Sequence, residues 1–401
     1  MLDLSGFFCY SVTMSFRYER ACVAQLEQRL KTKNLRIQVL VGPRQVGKTT
    51  GVKQLLARYP YPNHYANADD LLSTDRTWLL EQWQIAMALG NQTLLVIDEI
   101  QKVPNWSETL KALWDKNPDT IKVVVLGSSS LQLQKGLTES LAGRFELIRA
   151  YHWSFHELKS AFKYNLDRYL TYGGYPGAVA YEADFDRWYA YLKDSIVEAV
   201  IGKDILLNRR VGNPALFRQA FEILCRYPAQ EISYTKLLGQ LQEKGNTDLV
   251  KYYIELYSGA FLIHSLEKYS TKSHLVRSSS PKILISCPAL YTMNKGPDIM
   301  ADPEQRGRML EVAVGAQLMQ LPGHVYYWRD KNLEVDFIYS YRGILYAIEV
   351  KSGRRKTSKG LDAFLAEFPS ARPIIISSDT FPAFSENPHT FLEKASPVKN
   401  G

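Results

Sequence analysis

The stretch Gly42-Pro43-Arg44-Gln45-Val46-Gly47-Lys48-Thr49-Thr50 decides how the N-terminal part of this chain folds. It satisfies the pattern G-x-x-x-x-G-K-[ST], and it follows an apolar run, Ile37 to Val41, that reads as a buried strand. Gly42 and Gly47 allow the backbone to bend until successive N–H groups face inward, and a helix starting near Lys48 adds its positive end. Such a cradle suits phosphate. Residues Gly42 to Thr50 are the expected binding loop, with Lys48 reaching the β- and γ-phosphates of a nucleotide and the Thr49 hydroxyl ligating magnesium. A chance glycine-rich turn would need neither the strand before it nor the helix after it.

A second run, Thr93-Leu94-Leu95-Val96-Ile97-Asp98-Glu99, is short, apolar and closed by two carboxylates. That is the pattern of a buried parallel strand whose C-terminal end opens on a ligand crevice. Asp98 is expected to hold magnesium, directly or through water, and Glu99 to be the base that orients an attacking water. The competing reading is a helix cap or a solvated turn.

Composition limits the classes that remain. With 401 residues, 46% hydrophobic, the chain is long enough for several domains with real cores. Its apolar runs are strand-sized, well short of the roughly 20 residues a membrane span requires, so no membrane partner is expected. Met1 to Val12 is apolar and aromatic but carries Asp3 in place of a basic leader, which argues against a secretory signal; Met14 is an equal candidate for the start. Cys9, Cys22, Cys225 and Cys287 are widely separated, against zinc and against a disulfide framework, and a cytoplasmic setting is the expectation. His152 and His156 have metal-like spacing without a third ligand and read as interface or cap residues. A net charge of +8 favours an anionic partner, nucleic acid among them.

Between and after these motifs the pattern alternates. An amphipathic helix over 16–31 places Cys22, Val23, Leu26 and Leu30 on one stripe; helices to about Arg58, from Asp75 to Leu89 and from Trp106 to Trp114 separate strands near His64 to Ala68 and Ile121 to Leu126. Strands alternating with helices imply a parallel sheet covered on both faces. Ser128 or Ser129, at the end of a strand beside the Asp98 strand, would either sense the γ-phosphate or position water, or else cap a helix or sit in a serine-rich turn. Arg144, in Leu141-Ala142-Gly143-Arg144-Phe145-Glu146, would either act on a neighbouring subunit's nucleotide in a homo-oligomer or pair with an acid.

The succession G-P-R-Q-V-G-K-T-T, I-D-E-I-Q-K-V-P-N-W, L-G-S-S-S and L-A-G-R-F-E, with Tyr172-Gly173-Gly174-Tyr175-Pro176 and Gly202-Lys203-Asp204-Ile205 further on, resembles prokaryotic AAA-type ATPases whose C-terminal half is a domain of unknown function. The resemblance implies ATP as the nucleotide, a lid-like helical and winged-helix middle, and a C-terminal restriction-endonuclease-like α/β domain. The boundaries it suggests are an N-terminal segment 1–35, an ATPase domain 36–152, a helical region 153–225, a winged-helix-like domain 226–295 and a nuclease-like domain 296–401.

The residues of the middle agree with part of this. Helices over Ser233 to Gln242 and Thr247 to Tyr257, joined by Glu243-Lys244-Gly245-Asn246, precede strands Phe261 to Tyr269 and Lys282 to Ser286, an order that suits a winged helix. The second helix would bury Leu249, Tyr253 and Leu256 and expose Asp248, Lys251 and Glu255, a mixed face that suits scaffolding or subunit contact better than groove reading. Ser270 to Pro281 reads as a wing or loop.

Near the C-terminus, Glu334-Val335-Asp336-Phe337-Ile338-Tyr339 and Ile344-Leu345-Tyr346-Ala347-Ile348-Glu349-Val350-Lys351 alternate like two strands joined through Ser340 to Gly343. Alternation puts Glu349 and Lys351 on one face, and Asp336 on the partner strand can share it. Asp336 and Glu349 are the candidate metal ligands and Lys351 the phosphoryl-stabilising cation, a spacing that resembles the D…E-x-K signature of the restriction-endonuclease-like fold. Glu311, on the apolar stripe of a helix over Glu304 to Leu321, matches the helix-borne acid of that fold, and Arg354-Arg355-Lys356 suits a phosphate backbone. The alternative is a hairpin with a cross-strand ion pair. The functional readings are thus an ATPase coupled to nucleic-acid cleavage, an ATPase with a non-cleaving binding or assembly module, or a protein-remodelling ATPase.

Overall fold

The computed structural model describes residues 18–32, 36–69, 75–118, 120–127, 137, 140–241, 246–270, 279–352 and 359–394. Met1 to Val12, Met14, Ser128, Ser129, the turn 243–245 and the run Arg354-Arg355-Lys356 lie outside them. The chain divides into two compact units, Met1–Tyr151 with Gly202–Arg209, and His152–Ile201 with Arg210–Gly401.

In the first unit the order is α1 (Ala21–Leu30), β1 (Ile37–Val41), α2 (Lys48–Arg58), β2 (Asn63–Asn67), α3 (Arg76–Ala88), β3 (Leu94–Asp98), α4 (Trp106–Lys116), β4 (Lys122–Gly127) and β5 (Phe145–Arg149). All five strands pair parallel in the order β2-β3-β4-β1-β5. Every residue of β1 and β3 is buried, which is why these strands read as unbroken apolar runs rather than alternating ones. Helix α1 begins at Ala21, and buries Val23, Leu26 and Leu30 while Cys22 is half-buried. It packs against α2 at Gly51, where a side-chain Cβ would come within 2.5 Å of Val23. Asp75 starts α3 as its cap, accepting from the Trp78 N–H at 3.0 Å.

The second unit opens with α5 (Phe155–Phe162), started by a capping box of Ser154 and Glu157, then α6 (Leu166–Tyr172) and α7 (Phe185–Ala190), which widens into a π-helical stretch over Tyr191–Val197. The cap belongs to Ser154 and not to the histidines; His152 is buried instead, its Nε2 2.9 Å from the Tyr175 hydroxyl. Next come α8 (Pro214–Cys225), β6 (Gln230–Glu231), α9 (Tyr234–Gln240), α10 (Thr247–Gly259), β7 (Ile263–Leu266) and β8 (Lys282–Ile285), the strands forming an antiparallel sheet in the order β6-β8-β7. Helix α10 buries Val250, Tyr253, Ile254, Leu256 and Tyr257. Leu249 is only half-buried, because the packed stripe is wider than the three residues read from sequence and shifts toward Val250 and Ile254, while Asp248, Lys251 and Glu255 are exposed as expected.

After α11 (Ala289–Lys295) and α12 (Pro303–Leu318) lies a four-stranded mixed sheet. Its strands are β9 (His324–Asp330), β10 (Leu333–Tyr341), β11 (Ile344–Lys351) and β12 (Arg372–Ser377), in the order β12-β11-β10-β9. The first three form an antiparallel meander, and α13 (Lys359–Glu367) carries the chain across so that β12 joins β11 in parallel. Trp328, Val335, Ile338, Ala347, Leu361 and Phe364 form the core beneath α13. Short helices α14 (Phe381–Glu386) and α15 (Pro388–Glu393) close the described chain. Among the described residues no helix is long and apolar enough to cross a membrane.

Candidate functional site

The loop between β1 and α2 is shaped by backbone conformations that few residues tolerate. Gly42 passes so close to β5 that a Cβ there would stand 2.0 Å from the Ala150 carbonyl oxygen, and Gly47 turns into the helix with φ +85°. Gln45 is also left-handed, at φ 60°. The loop curls around its own lysine. Lys48 is buried and its Nζ donates to the carbonyls of Gly42 at 2.9 Å and Pro43 at 2.6 Å. Burial pushes its ammonium down to about 8, against the pull of Glu99 and Asp98. Behind the loop, the buried guanidinium of Arg20 donates to the carbonyls of Val46 at 3.1 Å and Tyr151 at 2.9 Å.

Strand order brings the second motif to the same place. Parallel pairing sends β1 and β3 out of the sheet at the same edge, with β4 between them. Thr49 at the start of α2 donates its hydroxyl to Asp98 Oδ2 at 2.7 Å; Tyr65 on β2 donates to the same oxygen at 2.7 Å, and the Glu99 N–H to Oδ1 at 2.9 Å. Glu99 follows β3 with φ 52°, the left-handed region where a residue bearing a side chain is strained, and such strain gathers at functional positions. Burial, with Asp98 beside it, raises Glu99 above the usual carboxylate range. Gln101 donates to Glu99. Arg44, within the loop, forks Asp204, Nε to Oδ2 at 2.8 Å and Nη2 to Oδ1 at 2.6 Å.

Arg144 forks Asp115, at 2.6 and 3.0 Å, and so takes the pairing its sequence reading left open. Ser128 lies outside the described residues. Tyr65, Arg20 and Asp204 were not singled out from sequence as parts of the site; only Asp204, within Gly202-Lys203-Asp204-Ile205, had a motif to mark it.

In the second unit, Glu311, Glu334, Asp336 and Glu349 line one cavity of about 470 Å³ together with Arg308 and Arg329. Asp336 Oδ2 accepts the Val350 N–H across the β10–β11 ladder at 2.7 Å, and Lys351 pairs with Glu349. The sequence did not foresee the occupant. Lys282 enters from β8 with its side chain 1% exposed, and its ammonium lies 2.6 Å from Glu311, 3.2 Å from Glu334 and 3.2 Å from the Asp336 carbonyl. Burial opposes its charge, but the carboxylates of Glu311, Asp336 and Glu334 outweigh it and hold the amine above the usual lysine range. Burial, set against that ammonium, raises Glu311 to about 8 and also raises Asp336. Among the described residues no group of three or more His, Cys, Asp or Glu is placed to hold a metal ion.

Residues 34–159 match the family described as an AAA domain. That stretch is an AAA-type, ATPase-like domain. Residues 163–296 and 306–387 match two domains of unknown function, DUF8612 and DUF4143. The chain is 27% identical over 346 residues to an uncharacterized protein of Mycobacterium tuberculosis, covering 84% of this chain and 75% of that one. It is 25% identical over 346 residues to an uncharacterized protein of Methanocaldococcus jannaschii, at 80% and 76% coverage. Among solved structures, a Walker-type ATPase of Pyrococcus abyssi superposes with a TM-score of 0.48 at 16% identity, over 68% of this chain and 94% of that one. The Thermotoga maritima RuvB Holliday junction branch migration motor does so with a TM-score of 0.33 at 16% identity, over 61% and 88%.

Proposed function

We propose that the AAA-type domain binds ATP with magnesium and hydrolyses it. The observation that carries this reading is the meeting of Thr49 and Asp98 at 2.7 Å beside a loop that encloses the Lys48 ammonium. These groups suit the cofactor chemically: Thr49 and Asp98 would hold magnesium, and the N–H groups of Gly42 to Thr50 with Lys48 would hold the phosphates. Bound magnesium supplies charge neutralisation at the phosphoryl oxygens. Glu99, its proton affinity raised by burial, is the group to orient and deprotonate water. Fluorescent-nucleotide binding and phosphate release from the full chain test this. Lys48→Ala is expected to abolish binding, and Glu99→Gln to keep binding while lowering turnover by about 100-fold or more. Unchanged affinity in folded Lys48→Ala would refute the loop assignment; near-normal turnover in Glu99→Gln would move the base elsewhere.

For the second unit we infer a binding or assembly module without metal-dependent cleavage. Helix, strand, two helices and two strands over Pro214–Ile285 support a winged-helix reading, and the α12, meander, α13, β12 order supports a restriction-endonuclease-like one. Its acids do not fit a metal as they stand, since Lys282 already takes the cation's place between Glu311 and Glu334 and one oxygen of Asp336 is engaged by the Val350 N–H. Nucleic acid is a candidate partner on the strength of the +8 charge. Action of Arg144 on a second copy of the chain would require its fork to Asp115 to open.

A further inference from the structure

The segment Gly202–Arg209 groups with the first unit although the residues on both sides of it fold with the second. It is the end of a π-helical stretch, Val200–Leu206, and the turn that follows it. The Leu207 N–H bonds the Gly202 carbonyl at 3.1 Å, the Arg209 N–H bonds that of Ile205 at 2.8 Å, and the Asn208 amide holds the carbonyls of Lys203 at 2.8 Å and Asp204 at 3.2 Å. What this turn delivers to the nucleotide loop is one carboxylate. Asp204 meets Arg44 in a two-point fork that fixes the plane of the guanidinium as well as its place.

Stability is a poor reason for such a pair. The Asp204 side chain is 7% exposed and that of Arg44 27%, so both lose much of their hydration. Buried pairs repay that loss only with excellent geometry, and their replacement by apolar groups is often neutral. Position is a better reason. Arg44 stands inside the phosphate loop next to left-handed Gln45, on a long side chain that samples many rotamers unless tethered. Its charge also acts on Glu99 and Lys48, the base and the phosphate cation.

We propose that Asp204 is a positioning residue for nucleotide turnover, holding the Arg44 guanidinium in one orientation within the phosphate loop for contact with the phosphate chain. The proposal rests on the ATPase reading, and its effect passes mainly through Arg44, the direct pull of the Asp204 charge on Lys48 being the smaller of the two. The experiment measures kcat and KM for ATP hydrolysis and binding of a fluorescent ATP analogue by the full chain. Asp204→Asn is expected to lower kcat roughly 10- to 100-fold, as small misplacements of a contacting group do, with KM changed by no more than a few-fold. Asp204→Glu, which keeps the carboxylate, should recover part of the loss. In an Arg44→Ala background Asp204→Asn should bring little further loss, a result that general damage to the fold would not give. Wild-type kcat in Asp204→Asn, or an undiminished loss in the Arg44→Ala background, overturns the proposal and leaves the ATPase reading standing. Analogue binding that survives Lys48→Ala overturns that underlying reading instead.

Discussion

Gly42 and Gly47 carry the same letter in the motif for different physical reasons. At Gly42 the obstacle is a neighbour: the Ala150 carbonyl stands 2.0 Å from where a methyl would go. At Gly47 the surrounding space is open and the obstacle is φ +85° itself. Gly42→Ala should therefore push the loop off β5, lowering the unfolding temperature by the equivalent of about 1–3 kcal/mol and abolishing nucleotide binding. Gly47→Ala should weaken binding with a smaller thermal penalty, about 1–2 kcal/mol. Equal destabilisation by the two changes, in a thermal melt followed with and without nucleotide, would contradict the distinction. The glycines, Lys48 and Thr49 were legible because one local pattern names them, and Asp98 because a second, the apolar run closed by two acids, marks it. The left-handed backbone of Glu99 and the Tyr65 hydroxyl on Asp98 were not, since they depend on where β2 and β3 pair.

At the scale of elements, two-residue alternation correctly set Glu349 beside Lys351, and the hairpin register added Asp336. Lys282 escaped that reasoning because it reaches the cluster from another sheet, and β8 as a sequence, Lys-Ile-Leu-Ile, says nothing about a distant acid. Burial of the cluster, only partly offset by that lysine, leaves a pH signature. Glu311 has an ordinary value of 4.5 and is raised to about 8 in the fold. Below both values it is protonated whether folded or not. Between them the folded chain keeps a proton that the unfolded chain has released, so this contribution to stability is lost as pH rises toward about 8. Half-buried Glu182 is raised to about 8 by desolvation as well, and wild type alone would not separate the two. The thermal midpoint should fall more steeply between roughly pH 5 and pH 8 in wild type than in Glu311→Gln. Parallel slopes would show that Glu311 titrates normally.

For the whole molecule the question is whether an AAA-type domain drives a nuclease or a module that only binds. Net charge cannot answer it, because +8 attracts a phosphate backbone in either case. The cluster in the second unit can. An ammonium seated against Glu311, Glu334 and the Asp336 main-chain carbonyl supplies charge that a divalent ion would otherwise bring, and removing it leaves buried Glu311 without that cation. Supercoiled plasmid incubated with the full chain, Mg²⁺ or Mn²⁺, with and without ATP, should stay intact, whereas any retention of DNA should fade with salt. Lys282→Met should destabilise the protein, less below about pH 8, where Glu311 can hold a proton, than above it, and should do so less when Mn²⁺ is present. Wild type should show no such metal-dependent rise in its thermal midpoint. Nicking by wild type that requires Mn²⁺ and disappears in Asp336→Ala would mean that Lys282 yields its place to the metal, and the second unit would then be a working nuclease.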